Sequence, residues 1–544
     1  MKKSITIKLL LVALCVLLAG CSGGGKGGEN AGEYRDTFYF AIAGEPRQID
    51  PSIIDDSVTG SLVGQIYWPL FSTDGHGNLV NQACVGYEVS DDGTEYTLHL
   101  SEKNTWSDGK PVTADDYIYG WKRTIGMGRA NSYYVYEFCD YVLNAAAHDG
   151  DDIANMDDVG FEKVDDYTIK ITLSTPCPFF AQMMPASVWL PQRADVTQEH
   201  TSDWANDVNN IITNGAFKVV SLDATTEFDM VKNEYFANAD KVISEKLVGL
   251  VITDQDAQRL AFENGEVDYA SSLNADVAVT MAGSPALKVY MTPANYYMML
   301  NSYNDDCPAL KDERVRRAIA LGIDRQAFVT ALELPDLYYE LNGFVPKGVP
   351  QSDGRDFRTV GDEMEKLVYT DKDEARRLME EAGYSETNRL NVTYYYNQTA
   401  LHDTVSAIIK AQLAEVYIDV TLKTAEIRTF FEDREQARYE MCRGGFSCDY
   451  YDPSNFTDLC KTTGVGPVVS LGDEVGDEMI RKAQLMSGAE RDAYLHEIET
   501  YMIKEKSYYV PLMGYGSFAL VNPNAVGVER GRFWYAGVPV DAEK

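Results

Sequence analysis

The chain has 544 residues, with 84 Asp and Glu against 48 Lys and Arg and a formal net charge of −36. Apolar residues make up 45% and charged residues 24%, which suits a large folded core and excludes a disordered chain. Such acidity excludes nucleic acid and anionic lipid as electrostatic partners, because both are held by Lys and Arg patches.

The amino end comes first. Met1–Gly20 carries Lys2, Lys3 and Lys8, then an apolar run from Leu9 to Ala19. That run is about half of a bilayer span, so it reads as a signal peptide rather than a transmembrane anchor. It closes on Leu18-Ala19-Gly20-Cys21, small residues before a cysteine, as in the bacterial lipobox. Cys21 is therefore expected to carry the lipid anchor; a plain secretory signal with an incidental cysteine is the alternative. Two acyl chains give the stable anchoring that one chain cannot. Residues 22–35, with their glycine-rich Ser22–Gly28, are expected to form a flexible linker. Loss of the leader removes three lysines and no acid, so the mature chain is more negative still. No later stretch is apolar for long enough to span a membrane.

Phe38–Ala43 and Leu62–Phe71 read as strand-like runs. Tyr96, Leu98 and Leu100 alternate as in a half-buried strand. Ser107-Asp108-Gly109-Lys110-Pro111 is turn chemistry. Thr113 with Asp116 is an N-cap with an acidic third position, predicting a helix through about Arg123. A second start, Thr253–Asp256, predicts a helix that stops at Asn264-Gly265, followed by strand-like Val267–Tyr269. Val315, Ala318, Ile319, Gly322 and Ile323 fall at helical spacing. Thr370–Glu381 predicts a further helix, with Gly383 just past its end. Leu390–Tyr396 alternates as a strand, Leu401–Val416 carries a helical stripe, and Ile418, Val420 and Leu422 form another strand. Strand, helix and strand in this compass predict a βαβ crossover and a parallel pair. The whole reads as α/β with several lobes.

Once Cys15 and Cys21 are set aside, Cys84, Cys139, Cys177, Cys307, Cys442, Cys448 and Cys460 remain. There is no CxxC and the histidines are scattered, so neither a metal nor a cofactor is expected. Disulfides are compatible with an exported chain, but the connectivity stays open. No GxSxG, HExxH or P-loop pattern marks an enzyme.

Ligands of open parallel sheets bind beyond the carboxyl ends of strands. Two segments meet that description: Asn397–Asp403, carrying His402, and Tyr439–Pro453, carrying Arg443, Phe446, Cys448, Asp449, Tyr450 and Asp452. One Asp and one Arg in an aromatic loop suit a zwitterion, with Asp449 on an ammonium and Arg443 forked onto a carboxylate. Structural ion pairing of both is the alternative.

The mature chain resembles, over nearly its whole length, the bacterial extracellular solute-binding proteins of ABC import systems, oligopeptide/dipeptide/nickel family, OppA type. The resemblance rests on Ile49-Asp50-Pro51, on the run Trp106–Asp116, on Thr213–Phe217, Asn264–Asp268 and Arg314–Ile319 with Asp324-Arg325, and on the 439–453 loop. It implies a class II binding-protein fold, two α/β lobes with a hinge and an inserted third domain. The implied division is 36–68, 206–292 and 507–544 for the first lobe, 69–205 for the insert and 293–506 for the second lobe. It implies capture of short peptides between the lobes and delivery to the permease and ATPase subunits of an importer, with no catalysis. A nickel chelate, haem, an oligosaccharide or a peptide pheromone is the alternative cargo, and a surface hydrolase the more distant one. By the same resemblance Asp449 takes the peptide's ammonium and Arg443 or His402 its carboxylate. Phe446, Cys448 and Tyr450 flank the ligand, and Asp55 closes over it. Phe446 and Ile427 stand where such binders carry tryptophan, and Ser447 stands where a disulfide cysteine falls, with Cys448 one residue later. A lipid-anchored, extracytoplasmic monomer is expected.

Overall fold

Asp56 begins the first helix by accepting hydrogen bonds from the Thr59 amide (2.8 Å) and hydroxyl (2.8 Å). Helix Ser57–Ile66 then buries Leu62, Val63 and Ile66 on one face, and the chain becomes a strand only at Phe71–Thr73. The strand-like reading of Leu62–Phe71 is thus corrected: its first half continues a capped helix whose cap lies upstream of the apolar run. The computed structural model describes residues 34–540 apart from 47, 75–76, 200–203, 224, 335, 361–362, 365–366 and 463–470. Cys21, the leader and linker residues 22–33 lie outside the described residues.

Two mixed sheets organise the chain. The first has seven strands in the spatial order Leu287–Tyr290, Ser517–Val521, Tyr269–Ala270, Thr37–Ile42, Lys246–Val251, Glu227–Lys232 and Phe217–Asp223. Its central strand Thr37–Ile42 runs parallel to Lys246–Val251. The second has six strands in the order Tyr338–Glu340, Tyr509–Tyr515, Ala294–Leu300, Met441–Ser447, Leu390–Asn397 and Ile418–Ala425. A separate four-stranded antiparallel sheet joins Cys84–Val89, Glu95–Leu100, Thr168–Thr172 and Phe161–Asp165.

The predicted βαβ unit is present. Leu390–Asn397 pairs in parallel with Ile418–Ala425. Helix Ala400–Ala414 connects them, capped by Thr399 and burying Val405, Ile409 and Leu413. Helix Ala114–Met127 starts where the cap predicted, with the Thr113 amide donating to Asp116 Oδ2 (2.8 Å), and runs one turn beyond Arg123. The other helices expected from the sequence are Gln255–Glu263, Glu313–Gly322 and Lys372–Glu381, each with an aspartate cap.

The chain crosses between the two sheets at adjacent places. Leu287–Tyr290 lies in the first sheet and Ala294–Leu300 in the second; Tyr509–Tyr515 lies in the second and Ser517–Val521 in the first. Residues 507–544 therefore do not all join the first lobe. Val510, Leu512 and Met513 bury themselves in the second lobe's core, which draws that strand into the second sheet. Buried Arg325 secures it from the side, donating Nε to the Pro511 carbonyl (2.8 Å).

The motif Trp106–Asp116 and the segment Thr213–Phe217 build the junction between the antiparallel sheet and the first lobe. The Ser107 amide donates to the Thr213 carbonyl (2.7 Å), and Asn214 Nδ2 donates to Asn104 Oδ1 (3.1 Å). Gly109 takes φ +84° in the tight turn, a backbone that disfavours any side chain. Arg193 pairs with Asp108 (2.9 Å) and lies over the Trp106 ring (5.8 Å). These residues bind one another and are absent from the walls of the cavity described below.

Candidate functional site

Strand Met441–Ser447 lies between Ala294–Leu300, antiparallel to it, and Leu390–Asn397, parallel to it. Its carboxyl end opens into the 448–453 loop. Three anchors fix that loop. The Cys448 amide donates to the Pro293 carbonyl (3.0 Å), tying the loop to one of the crossings. The Asp449 amide donates to Asn455 Oδ1 (2.8 Å). Asp452 receives both arms of Arg491, at 2.7 and 2.9 Å. Burial alone would raise the Asp452 carboxyl, but Arg491 outweighs it and holds the group below the usual range.

Asp449 faces a cavity of about 440 Å³. Its walls come from the helix Ser57–Ile66 and the residues flanking it, from Arg532 and Trp534 near the carboxyl end, from Tyr134, Pro185, Ala186, Ser187 and Leu190, and from Cys448 and Asp449 beyond the second sheet. Asp55 lines the same cavity. The Tyr134 hydroxyl donates to Asp449 Oδ1 at 3.4 Å. Tyr133 and Tyr136 pack around Tyr134. Asp449 is exposed where it faces the cavity, although protein packs closely around the rest of its carboxylate. That crowding pushes it up to about 6, against the opposing hydrogen bonds of the tyrosines and Asn455. Among the described residues no Lys or Arg forms an ion pair with it. A crowded carboxylate without a cation is an acceptor for one.

Arg443 and His402 do not line this cavity. They form a second cluster on the same sheet. Arg443 is 9% exposed, donates Nε to Asn397 Oδ1 (2.6 Å) and lies over the Phe430 ring (4.8 Å). Burial lowers its basicity, and among the described residues no carboxylate is paired with it. His402 Nδ1 meets the Tyr296 hydroxyl at 3.0 Å. Burial first, and then the Arg443 charge, push the imidazole down to about 4. His402 is thus neutral at neutral pH, a hydrogen-bonding group and not a second cation.

Phe446 is half-buried and packs edge-on against Phe456 (5.4 Å). Tyr450 is 4% exposed and stacks on Phe179 of the insert, so it packs the domain contact rather than the cavity wall. Cys84, Cys139, Cys177, Cys307, Cys442 and Cys448 all carry free thiols. Burial, then the Asp449 charge, push the Cys448 thiol up to about 12. Among the described residues no group of three or more His, Cys, Asp or Glu is arranged to hold a metal. Among them no helix is long and apolar enough to cross a membrane.

The family model for bacterial extracellular solute-binding proteins, family 5 (middle region), matches residues 78–466. The chain belongs to that family. Its curated relatives include the probable deoxycholate-binding periplasmic protein YgiS of Escherichia coli K12, 25% identical over 503 residues, covering 90% of this chain and 92% of that protein. They also include the oligopeptide-binding protein OppA of Bacillus subtilis 168, 24% identical over 476 residues and covering 86% of each. Among solved structures, Listeria monocytogenes OppA bound to peptide superposes with a TM-score of 0.71 at 23% identity, covering 93% of this chain and 98% of that one. The fold is that of the two-lobed class II binding proteins.

In this solute-binding protein, sequence reasoning passed over four cavity or loop residues: Tyr134, Asn455, Arg491 and Arg532. Tyr134 sits in the run Tyr133–Tyr136, which could have drawn attention as an aromatic cluster. The others are brought in only by tertiary folding.

Proposed function

We propose that this chain is the substrate-binding component of an ABC importer that captures short peptides between its two lobes and delivers them to the membrane permease. One observation carries the reading: Asp449, a crowded carboxylate without a cationic partner, faces a cavity lined by both lobes and the insert. An α-ammonium would replace the missing countercharge, with the Tyr134 hydroxyl beside it. Arg443, buried without a carboxylate, supplies the complementary charge on the same sheet for the far end of a longer peptide. Main-chain hydrogen bonds common to all peptides would supply the rest. The oligopeptide-binding relative of Bacillus subtilis and the peptide-bound OppA of Listeria monocytogenes support the same reading.

A steroid acid of the kind named for YgiS has a carboxylate and no ammonium, and it would leave Asp449 uncompensated. The roles of Phe446, Cys448 and Asp55 are proposed as walls of the ligand space, and that of Tyr450 as support beneath it. We take residues 36–68, 206–292 and the chain from Gly516 onward as the first lobe, 69–205 as the insert and 293–515 as the second. Acylation of Cys21 would anchor the protein outside the cell membrane as a monomer.

Titration calorimetry with a tetrapeptide and its N-acetyl form tests the proposal. The free-amine peptide binds, acetylation removes most of the affinity, and Asp449→Ala does the same. Equal binding of both forms would overturn it. Native mass spectrometry of the purified protein would identify a carried peptide population directly.

A further inference from the structure

The cavity that holds Asp449 holds one guanidinium as well, and the reading above gives it no task. Arg532 comes from the turn Glu529–Arg532 near the carboxyl end. Gly531 takes φ +66° in that turn, and its carbonyl accepts from Gln65 Nε2 (2.8 Å). Gln65 Oε1 in turn accepts from the Phe533 amide (2.8 Å). Trp534 Nε1 donates to the Gly64 carbonyl (2.7 Å). Helix Ser57–Ile66 therefore grips the turn on both sides of Arg532 and fixes where its side chain leaves the backbone.

The guanidinium lies over the Trp534 ring at 4.7 Å and lines the cavity. Among the described residues its only ion-pair partner is Glu529, at 3.6 Å, and that carboxylate is 61% exposed. A long contact to a solvated acid compensates little of the cation's charge. Arg532 itself is 28% exposed, and crowding lowers its basicity. The first lobe thus presents an incompletely compensated cation to the same cavity into which the second lobe presents an incompletely compensated carboxylate.

We propose that Arg532 is a specificity residue that pairs with a carboxylate carried by the ligand close to its ammonium group. This rests on the peptide reading of the site and deepens it. Two sources supply that chemistry: an acidic side chain at the first or second residue of a longer peptide, or the terminal carboxylate of a dipeptide. The planar fork of arginine suits either one. Arg443 lies outside this cavity and stays available for the far end of longer ligands.

Calorimetry on the full chain separates the sources. The first pair of ligands is Ala-Glu-Ala-Ala and Ala-Gln-Ala-Ala, with Glu-Ala-Ala-Ala and Gln-Ala-Ala-Ala as the first-residue version. The second pair is Ala-Ala and its carboxamide. In at least one pair the wild type is expected to favour the acid by about ten- to a hundredfold, the range of a charge-assisted contact. Arg532→Gln erases that preference and leaves the preference for free-amine over N-acetyl peptides intact. Arg532→Lys restores part of it, which a folding defect in the glutamine variant would not mimic. Wild-type indifference to acid in all three pairs, or an unchanged preference in Arg532→Gln, overturns the proposal while the peptide reading stands. Binding of no peptide by the wild type removes both.

Discussion

Tyr450 and Phe179 stack face to face, with ring centroids 5.2 Å apart and planes within 2°. Tyr450 follows Asp449 directly in the second lobe, and Phe179 belongs to the insert. Arg491, which grips Asp452, lies over the other partner of the stack, 5.3 Å from the Phe179 ring. The loop that presents Asp449 is therefore held by a neighbouring domain as well as by its own strand. The carboxylate's position in the cavity depends on both.

Tyr450→Ala is expected to cost about 3–5 kcal/mol of stability, the range for truncating a buried aromatic. About 0.5–1.5 kcal/mol of that belongs to ring geometry. Peptide affinity falls with it, because the Asp449 backbone loses its support. Tyr450→Phe keeps the ring and stays within about 1 kcal/mol of wild type. Urea midpoints and calorimetry check both, and a destabilised alanine variant that retains full affinity would separate the stack from the site.

Asp452 and Arg491 form a buried pair, at 13% and 6% side-chain exposure. Arg491→Ala leaves the carboxylate buried without its partner and is expected to cost about 3–5 kcal/mol. Adding Asp452→Asn to that variant recovers part of the loss, since the stranded charge is gone. A double variant no more stable than the single one would show that the pair matters through packing alone.

Much of this architecture is legible locally. Asp116, three residues after Thr113, announces its helix, and the alternation from Leu390 and from Ile418 fixes a parallel pair before any fold is known. Asp449 and Arg443 stand out because a turn-rich aromatic loop follows a strand. Their separation into two places is not legible: residues six apart were read as one zwitterion site, yet Arg443 points among Asn397 and Phe430 while Asp449 faces the inter-lobe cavity. In a strand, side-chain direction follows register, and the strand ends at Ser447, before the chain bends at Asp449 and Tyr450. Nor could sequence show that burial strips His402 of its charge, or that Phe179 would meet Tyr450 across a domain boundary.

Peptide affinity is expected to fall in acid. A carboxylate lifted to about 6 must lose its proton before it can accept an ammonium. At pH 5 one unit below that value costs about tenfold in affinity relative to pH 8. Binding in that range releases protons, so the measured heat depends on the buffer's own ionisation heat. Asp449→Asn has weak, pH-independent binding. A flat profile for the wild type would place the binding charge elsewhere.

Stability and pH are linked in opposite senses at the two clusters. Asp449 is raised in the fold, so the folded state binds more protons than the unfolded one between about pH 4 and 6, and this group's contribution falls as pH rises through that window. His402 is lowered to about 4, so its neutral burial favours the fold above the ordinary imidazole value of about 6.5 and is lost as pH falls towards 4. His402→Gln is expected to flatten the acid side of the stability profile, and Asp449→Asn to steepen it. Denaturant midpoints from pH 4 to 8 would show whether the two variants move the profile in these opposite directions.

Gly516 is the single residue between strand Tyr509–Tyr515 of the second sheet and strand Ser517–Val521 of the first. A Cβ there would stand 2.5 Å from the carbonyl oxygen of Tyr290, where the other crossing leaves the first sheet. Glycine is what allows the two crossings to lie side by side. Gly516→Ala forces them apart and is expected to cost about 1–3 kcal/mol, as other insertions into packed sites do. The crossings carry the chain from one sheet to the other, where a hinge between the lobes would act, so the same substitution should alter closure. Small-angle scattering with and without a tetrapeptide reads this as a smaller ligand-linked change in radius of gyration. Gly86→Ala, in an open position of strand Cys84–Val89, controls for the added methyl group. Undiminished compaction in Gly516→Ala would assign the close approach to stability and free the hinge from it.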